Sequence, residues 1–193
     1  MFFSDETPQS YHCFIRLPRS LMHPFLPTTD LCDQHLDDTS GHFRVMPPVF
    51  KDFGLVRRFC GPVVTVQCLE DNTSVKAALE SPGWLETVDG RVPQVLVVAG
   101  GASLRRALMG GKLGAHAVRN GWAGVVIDGC VRDVAELAQC AVGIRALALV
   151  PMPTQRRVVG QTQIAVQIQG VWVHPGDWLY ADEDGMVVSA QPL

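Results

Sequence analysis

The chain has 193 residues, enough for one domain with a substantial core, and its 47% hydrophobic and 18% charged composition is that of an ordinary globular protein. The formal net charge of -3 argues against nucleic-acid binding, because neutralising phosphates requires clustered lysine and arginine. No apolar run reaches the length of a transmembrane helix, so no membrane partner is expected. The six cysteines form no CxxC, which predicts free thiols in a reducing cytoplasm.

The first 27 residues differ in composition from the rest of the chain. They carry four prolines and no clear periodicity, so we expect a poorly ordered or loosely docked extension over residues 1–27. A single domain is predicted over residues 28–193. Its first helix signal is the run Thr28-Thr29-Asp30, which resembles an N-cap.

The next part of the chain predicts one strand and one helix. Residues 62–69 alternate in polarity and are β-branched, which is typical of a strand. Residues 70–72 then open a helix that runs to Leu79. Residues 81–93 carry proline and glycine and are predicted as a loop.

Strands and helices alternate through the middle of the chain. The nearly continuous apolar run over residues 94–99 predicts a strand buried on both faces. Further elements are expected in this order: a tight turn at 100–102, a helix from about Lys112 to Arg119, a strand over 124–128, a helix after Arg132 and a strand over 145–150. Residues 162–190 alternate between turn signals, which predicts antiparallel strands. The whole is an α/β domain with a central βαβ unit and antiparallel C-terminal strands.

The most informative stretch is residues 121–133, which read GWAGVVIDGCVRD. A buried strand ends there and a helix begins, and open α/β sheets bind ligands beyond the carboxyl ends of their strands. The Arg132 guanidinium suits a carboxylate, and Asp133 offers oxygen to a hard cation such as Mg²⁺. Together they could hold a 2-oxo acid. The alternative is structural: Asp133 caps a helix and Arg132 makes a surface ion pair.

A glycine pair precedes the helix that begins near Lys112. Backbone N–H groups at a helix N-terminus attract anions, so a substrate carboxylate could be cradled by Gly110, Gly111, Lys112 and Leu113, with the Lys112 charge added. A turn needed only for chain geometry explains the glycines equally well. The spacing matches neither a Walker A loop nor a dinucleotide fingerprint, so nucleotide binding has little support.

An acidic run, Asp182-Glu183-Asp184, stands before a turn near the C-terminus. A solvated turn is the simpler interpretation. The functional interpretation is a carboxylate lent to the site of a neighbouring subunit. The six histidines show no HxH or HxxxH spacing, so a zinc site is not predicted.

Three motifs occur in the order GGASLRRALMGG, NGWAGVVIDGCVRD and PGDWLYADEDGMVV. They resemble the family named for regulator of ribonuclease activity A, which includes the metal-dependent (class II) 4-hydroxy-4-methyl-2-oxoglutarate aldolases. The resemblance covers about residues 28–193 and implies a layered β/β/α fold of the swivelling type and a ring-shaped homotrimer with active sites at subunit interfaces. It also implies retro-aldol cleavage to two pyruvates, with oxaloacetate decarboxylation as a side activity. Both reactions pass through a pyruvate enolate, which a divalent metal such as Mg²⁺ or Mn²⁺ stabilises.

The resemblance also implies roles for particular residues. Asp133 would bind the metal, and Arg132 would bind the substrate and act in catalysis. The segment from Gly110 to Leu113 would line the substrate pocket through its backbone. Asn72, together with either Glu183 or Asp184, would reach across a subunit interface.

One departure from the family pattern concerns position 111. The aldolases carry an aspartate, then twenty residues, then Arg-Asp; counting back from Arg132 reaches Gly111. A second acid often found before the first glycine turn is Ala99 here. The position-111 carboxylate is thought to orient the arginine or a catalytic water, and losing such a group can cost several orders of magnitude in rate.

Three functions therefore stay open. The first is a metal-dependent pyruvate-type lyase, impaired by Gly111; Arg132 and Asp133 favour it. The second is a non-catalytic protein that binds and inhibits an RNA-degrading endoribonuclease, as family members of that kind do; Gly111 and Ala99 favour it. The third keeps the fold and the metal but changes the substrate, with Lys112 reshaping the pocket.

Overall fold

The computed structural model describes residues 26–193, so the extension expected over residues 1–27 lies almost wholly outside the described residues. Within residues 26–193, none of the helices has both the length and the apolar character needed to cross a membrane. The elements in chain order are α1 (Thr28–Gln34), β1 (Phe43–Val45), β2 (Lys51–Asp52), β3 (Phe59–Gln67), α2 (Thr73–Glu80), β4 (Trp84–Thr87), β5 (Gly90–Pro93), β6 (Val95–Met109), α3 (Gly111–Arg119), β7 (Gly124–Val131), α4 (Val134–Leu137), β8 (Gly143–Leu149), β9 (Gln161–Thr162), β10 (Val166–Ile168), β11 (Val171–Val173), β12 (Trp178–Ala181) and β13 (Met186–Ser189).

One mixed sheet organises the domain. Its strands lie in the order β1-β13-β12-β3-β6-β7-β8-β2, and β9 pairs with β3. The four central strands β3, β6, β7 and β8 are parallel, whereas β12, β13, β1 and β2 pair antiparallel. The unit β6–α3–β7 joins two adjacent parallel strands through a helix. The predicted α/β class, its central βαβ unit and the antiparallel C-terminal strands are confirmed.

Both faces of the central strands are covered, because successive side chains of a strand point to opposite sides. Leu96 of β6 and Ile127 of β7 belong to a core shared with the helices α2, α3 and α4. Val97 and Val126, each the neighbour of one of these residues, belong to a second core shared with the β10–β11 hairpin. The layers are therefore helices, sheet and hairpin, which accounts for a run of β-branched residues with no polar alternation.

The N-terminal ends of β7 and β8 are covered by a single aromatic ring. Gly124 and Gly143 face each other across these strands. A Cβ atom on either glycine would overlap the ring of Phe59, which is buried at the start of β3. The glycines are required here by close approach, since the ring occupies the space that two side chains would fill.

Two local predictions are wrong, the N-cap at Thr28 and the loop over residues 81–93. Thr28 lies inside α1, whose cap position is Pro27, and its hydroxyl donates to Asp182 instead of to its own helix. The stretch 81–93 is not a loop, because β4 and β5 form a hairpin within it. Pro82 and Gly83 precede this hairpin, whereas Gly90 and Pro93 are the first and last residues of β5.

The strand predicted over residues 94–99 continues to Met109 as β6. The chain does turn at the expected glycines, since Gly101 and Ala102 have φ angles of 65° and 51°. It then rejoins β7 after several register shifts. Asp128 of β7 anchors the excursion by accepting a hydrogen bond from the Ala102 N–H at 3.1 Å.

Candidate functional site

The carboxyl end of β7 and the start of α3 form one corner of the domain. β7 is buried along its whole length and ends at Val131, which places Arg132 and Asp133 at the edge of the parallel sheet. The Arg132 N–H donates to the Met109 carbonyl at 2.9 Å, which ties this turn to the end of β6. Since α3 begins at Gly111, the structure brings the Arg-Asp pair and the glycine pair together.

Asp133 adopts a left-handed backbone conformation, with φ 58° and ψ 47°. It holds the N-cap position of α4, as predicted, yet its side chain makes no capping bond to that helix among the described residues. The carboxylate instead accepts a hydrogen bond from the Gly111 N–H at 3.2 Å, and Oδ2 lies 3.6 Å from Arg132 Nε. Left-handed conformations are uncommon for residues other than glycine and cluster at functional sites. The carboxylate is therefore directed toward the first turn of α3.

Gly110 permits the close approach of this carboxylate. A Cβ atom on Gly110 would overlap Asp133 Oδ2 and lie 3.1 Å from Arg132 Cγ. Both side chains stay accessible, with 40% of the Arg132 side chain and 39% of the Asp133 side chain exposed. An accessible guanidinium and an accessible carboxylate at one helix N-terminus can contact a small anion and a cation together.

The remaining residues of the glycine segment behave differently from each other. Lys112 is exposed, so its charge is available near the corner. Leu113 is buried in the core shared by the helices, and its N–H donates to the Gly110 carbonyl at 3.0 Å. The amide of Leu113 is thus committed to α3, and that of Gly111 to the Asp133 carboxylate.

The three residues expected at a subunit interface lie on other parts of the chain. Asn72 precedes α2, and its Oδ1 is buried without a hydrogen-bond partner among residues 26–193. Glu183 is exposed and pairs with Arg58 at 2.8 Å. Asp184 follows in the turn between β12 and β13, two strands that β3 and β6 separate from β7.

Glu136 is a candidate that the sequence reasoning missed. Its side chain lies against Gly111, where a Cβ atom would overlap the carboxylate and come within 2.7 Å of Glu136 Cβ. The signal in the sequence is the spacing Asp-x-x-Glu at the start of a helix, which places residues 133 and 136 on neighbouring positions of one turn. The corner therefore holds two carboxylates and one guanidinium.

The thiols near this corner are poor nucleophiles. Burial raises the pKa of the Cys130 thiol at the end of β7. Burial and the nearby Glu136 carboxylate raise the pKa of Cys140. Because the thiolate is the reactive form, neither cysteine is suited to covalent catalysis at neutral pH.

The donor set at this corner fits a magnesium-type cation better than a caged metal. Residues 26–193 contain no group of three or more His, Cys, Asp or Glu side chains that could hold a metal ion. Mg²⁺, however, retains several waters and is commonly bound through one or two carboxylates plus its substrate. Asp133 offers such a carboxylate, exposed and already oriented by the Gly111 N–H.

A cleft of about 680 Å³ lies elsewhere, between β1 and the β10–β11 hairpin. None of the predicted site residues lines it. Its arginine, Arg44, is already paired with Asp177 at 3.0 Å and donates to the Trp172 carbonyl at 2.8 Å. The chemistry-bearing groups thus converge at the Arg132–Asp133 corner and not in this cleft.

Comparison with known proteins agrees with the sequence motifs. The family model described as "RraA-like: Aldolase/RraA" matches residues 28–188. A relative from Albidiferax ferrireducens, provisionally named a 4-hydroxy-4-methyl-2-oxoglutarate aldolase, is 70% identical over 172 residues, which is 89% of this chain and 99% of the relative.

Two solved structures share the fold. The RNA-processing inhibitor RraA from Thermus thermophilus has a TM-score of 0.78 and 40% identity over 87% of this chain and 94% of its own. A Geobacillus kaustophilus protein described as an S-adenosylmethionine:2-dimethylmenaquinone methyltransferase has a TM-score of 0.77 and 38% identity over 87% and 97%. This chain belongs to the RraA-like family.

Proposed function

We propose that this protein is a divalent-metal-dependent lyase that cleaves 4-hydroxy-4-methyl-2-oxoglutarate to two molecules of pyruvate, with oxaloacetate decarboxylation as a side activity. The observation that carries the proposal is the convergence of Arg132, Asp133 and the start of α3 on one accessible corner. The provisional aldolase name of the 70% identical relative supports the same reaction class.

The residues of this corner have separate roles in the proposal. Asp133 would hold the divalent cation, which when bound would supply Lewis acidity for the reaction. Arg132 donates to the substrate carboxylate, for which a guanidinium is well shaped. The backbone at Gly110 and Gly111 adds the partial positive charge of a helix N-terminus, and Lys112 adds a nearby cation. Substrate charge is thereby offset before the carbon–carbon bond breaks.

The assembly and location belong to the same proposal. We infer a homotrimer in which Asn72 and one acid of Glu183 and Asp184 complete the site of a neighbouring subunit. The exposed carboxylate of Glu183 supports this arrangement, because a group that reaches a neighbouring subunit must be accessible on its own chain. We also place the protein in the cytoplasm.

The proposal is tested by a coupled assay of pyruvate release. The purified chain is supplied with either substrate in the presence of Mg²⁺ or Mn²⁺, and again with EDTA. We expect metal-dependent pyruvate from both substrates. The control variant is Glu86→Gln, which should release pyruvate at the wild-type rate. Glu86 is an exposed acid of the β4–β5 hairpin, paired only with Arg91 and Trp84 among the described residues. No metal-dependent pyruvate from either substrate would refute the proposal.

The second candidate function is inhibition of an RNA-degrading endoribonuclease by direct binding. It is favoured by the 40% identical RNA-processing inhibitor and by the glycine at position 111. Titrating such an endoribonuclease with this protein, while RNA cleavage is followed, tests it. Inhibition that survives both EDTA and the Asp133→Asn substitution would identify a binding function independent of the proposed metal site. Unchanged cleavage at saturating protein would exclude it.

A further inference from the structure

We infer that Glu136 is a catalytic residue of this protein, supplying from α4 the carboxylate that accepts and returns a proton during carbon–carbon bond cleavage. The inference rests on the proposed function, since it assigns a role within that reaction. It concerns a residue outside the Arg132–Asp133 pair and outside the glycine segment.

The first support is the position of the Glu136 side chain. Its carboxylate lies in the space that a side chain on Gly111 would enter, while Asp133 Oδ2 lies in the corresponding space at Gly110. Both carboxylates thus approach Gly111, since Asp133 accepts a hydrogen bond from its N–H at 3.2 Å and Glu136 fills the position of its missing Cβ atom. A ligand that contacts Asp133 and Arg132 is therefore within reach of Glu136.

The second support is the packing that brings α4 onto α3. Gly111 and Gly114 lie on one face of α3, three residues apart. A Cβ atom on Gly114 would lie 2.7 Å from Cys140 Sγ and 2.9 Å from Leu137 Cδ2. The two glycines therefore form a flat face on which the residues after Asp133 pack closely. Because residue 111 is glycine, the Glu136 side chain can occupy the space that a side chain at position 111 would fill.

The third support is that the Glu136 carboxylate is not committed to a structural partner. Within residues 26–193 it makes no hydrogen bond or ion pair, although its residue is exposed and its backbone N–H bonds to the Asp133 carbonyl at 3.0 Å. It lies against Gly111, the first residue of α3. A carboxylate held by packing, with its oxygens free, can exchange a proton with a substrate.

The proposed step balances without any further reactant. The Glu136 carboxylate accepts the proton of the C4 hydroxyl, and the C4–O bond becomes the carbonyl of the first pyruvate as the C3–C4 bond breaks. The electron pair of that bond remains on the C3 fragment, which is the enolate of the second pyruvate. The protonated Glu136 then returns the proton to C3 and forms the methyl group. Glu136 ends as the carboxylate it was at the start.

The test compares the full-length wild-type chain with Glu136→Gln. We expect kcat for pyruvate release to fall about 100-fold, the lower range for general acid–base catalysis, with KM nearly unchanged. Exchange of pyruvate methyl protons with D₂O, followed by NMR, should slow to a similar extent, because it needs only enolate formation. Thermal stabilisation by Mn²⁺ with pyruvate should persist, since Asp133 and Arg132 are intact. The matched control is Glu80→Gln, an acid beside His116 at the other end of α3.

A relocated carboxylate gives the sharpest version of the test. Gly111→Asp alone collides with Glu136, so it is combined with Glu136→Ala. We expect the double variant to recover at least a tenth of the wild-type kcat, whereas Glu136→Ala alone stays low. Such recovery would support a chemical role for a carboxylate at this corner, and the fall in kcat of Glu136→Gln is the measurement that assigns the role to Glu136.

The outcomes separate this inference from the proposed function. An active wild type with an equally active Glu136→Gln would overturn the inference and leave the proposed function standing. The inference would also be overturned by two results together. In the first, Glu136→Gln loses both activity and unfolding temperature. In the second, the double variant Gly111→Asp with Glu136→Ala stays inactive. A wild type that gives no metal-dependent pyruvate would overturn both.

Discussion

Two carboxylates of this chain, Asp133 and Asp182, have opposite surroundings. Asp182 is buried and accepts hydrogen bonds from Thr28 N–H and Oγ, both at 2.6 Å, and from the N–H groups of Asp184 and Gly185 at 3.0 and 3.3 Å. Asp133 is accessible and accepts one backbone N–H, with a loose ion pair to Arg132. Asp182 is saturated by donors, whereas Asp133 keeps lone pairs available for a ligand.

The comparison shows how to separate structural from functional acids in this fold. A carboxylate whose oxygens are used by its own chain contributes to stability, because removing it leaves several buried donors unsatisfied. A carboxylate held in a left-handed backbone conformation with few donors contributes little to stability and is free for chemistry. Substituting Asp182 should therefore lower the free energy of unfolding, whereas substituting Asp133 should lower activity.

Asp133→Asn is expected to have the largest effect, and on activity alone. Asparagine keeps the size and tolerates the left-handed conformation, but it loses the charge that would hold a cation. We expect kcat/KM for metal-dependent pyruvate release to fall about 1,000-fold or more, equivalent to about 4 kcal/mol of transition-state stabilisation. Urea unfolding of the same variant should be nearly unchanged. A variant that retains full metal-dependent turnover would remove Asp133 from the site.

Arg145→Ala is expected to have the largest effect on stability. The Arg145 guanidinium is buried, pairs with Asp52 at 2.7 Å and donates to the Asp182 carbonyl. Removing it leaves the Asp52 carboxylate, which is largely buried, with the exposed Arg57 as its one remaining partner within residues 26–193. We expect the free energy of unfolding to fall by about 3 kcal/mol, as when one partner of a buried pair is removed. Chemical denaturation measures this, and a loss below about 1 kcal/mol would contradict the expected role of the pair.

Asp182→Asn is expected to destabilise the fold by about 2 kcal/mol, because an amide cannot accept all the bonds that the carboxylate accepts. The affected contact joins α1 to the β12–β13 turn through Thr28. Urea unfolding curves of both proteins at neutral pH measure the difference. If stability were unchanged while activity fell, Asp182 would behave like Asp133, and the contrast between the two acids would fail.

The stability difference between wild type and Asp182→Asn should depend on pH, because it follows from the pKa of Asp182. Burial opposes ionisation, but the hydrogen bonds from Thr28, Asp184 and Gly185 outweigh it and hold the pKa below its ordinary value of 3.8. The folded state therefore binds the proton less readily than the unfolded state, so the stabilisation is complete above pH 3.8 and is lost as the pH falls through the lowered folded pKa. Wild type and Asp182→Asn should converge in stability at acid pH. Parallel curves down to that range would contradict this.

Glu183→Gln is expected to have the smallest effect on stability. Glu183 follows Asp182 directly, yet its pair with Arg58 is exposed on both sides. Such pairs contribute little, so the unfolding temperature should not change measurably. Activity is the informative measurement, because a loss of turnover without a loss of stability would place Glu183 at a neighbouring subunit's site.

The sequence predicted the central part of the fold well because the physical signals there are strong. The apolar runs that became β6 and β7 are buried on both faces, and the glycine-bounded helix between them is α3. The signals failed where tertiary contacts decide the structure. The β4–β5 hairpin includes a glycine and a proline in β5, and β6 resumes after its glycines because Asp128 anchors Ala102.

The candidate site was predictable in part. Arg132 and Asp133 could be placed at the end of a strand, and the glycine pair at the start of a helix, but nothing local shows that the two segments meet. That Asp133 bonds to Gly111, and not to its own helix, depends on how α3 packs beside β7. Glu136 was missed because its place at this corner follows from the contact of its side chain with Gly111, and that contact exists only in three dimensions.

The Phe59 ring across Gly124 and Gly143 has a consequence for how the chain folds. The ring belongs to β3, but the glycines that receive it are synthesised much later and lie on two different strands. This contact cannot form locally, and contacts between distant parts of a chain slow folding. Phe59, the first residue of β3, can therefore reach its packed position only when β7 and β8 are paired. Substituting alanine at either glycine should retard refolding, because the added Cβ atom would overlap the ring.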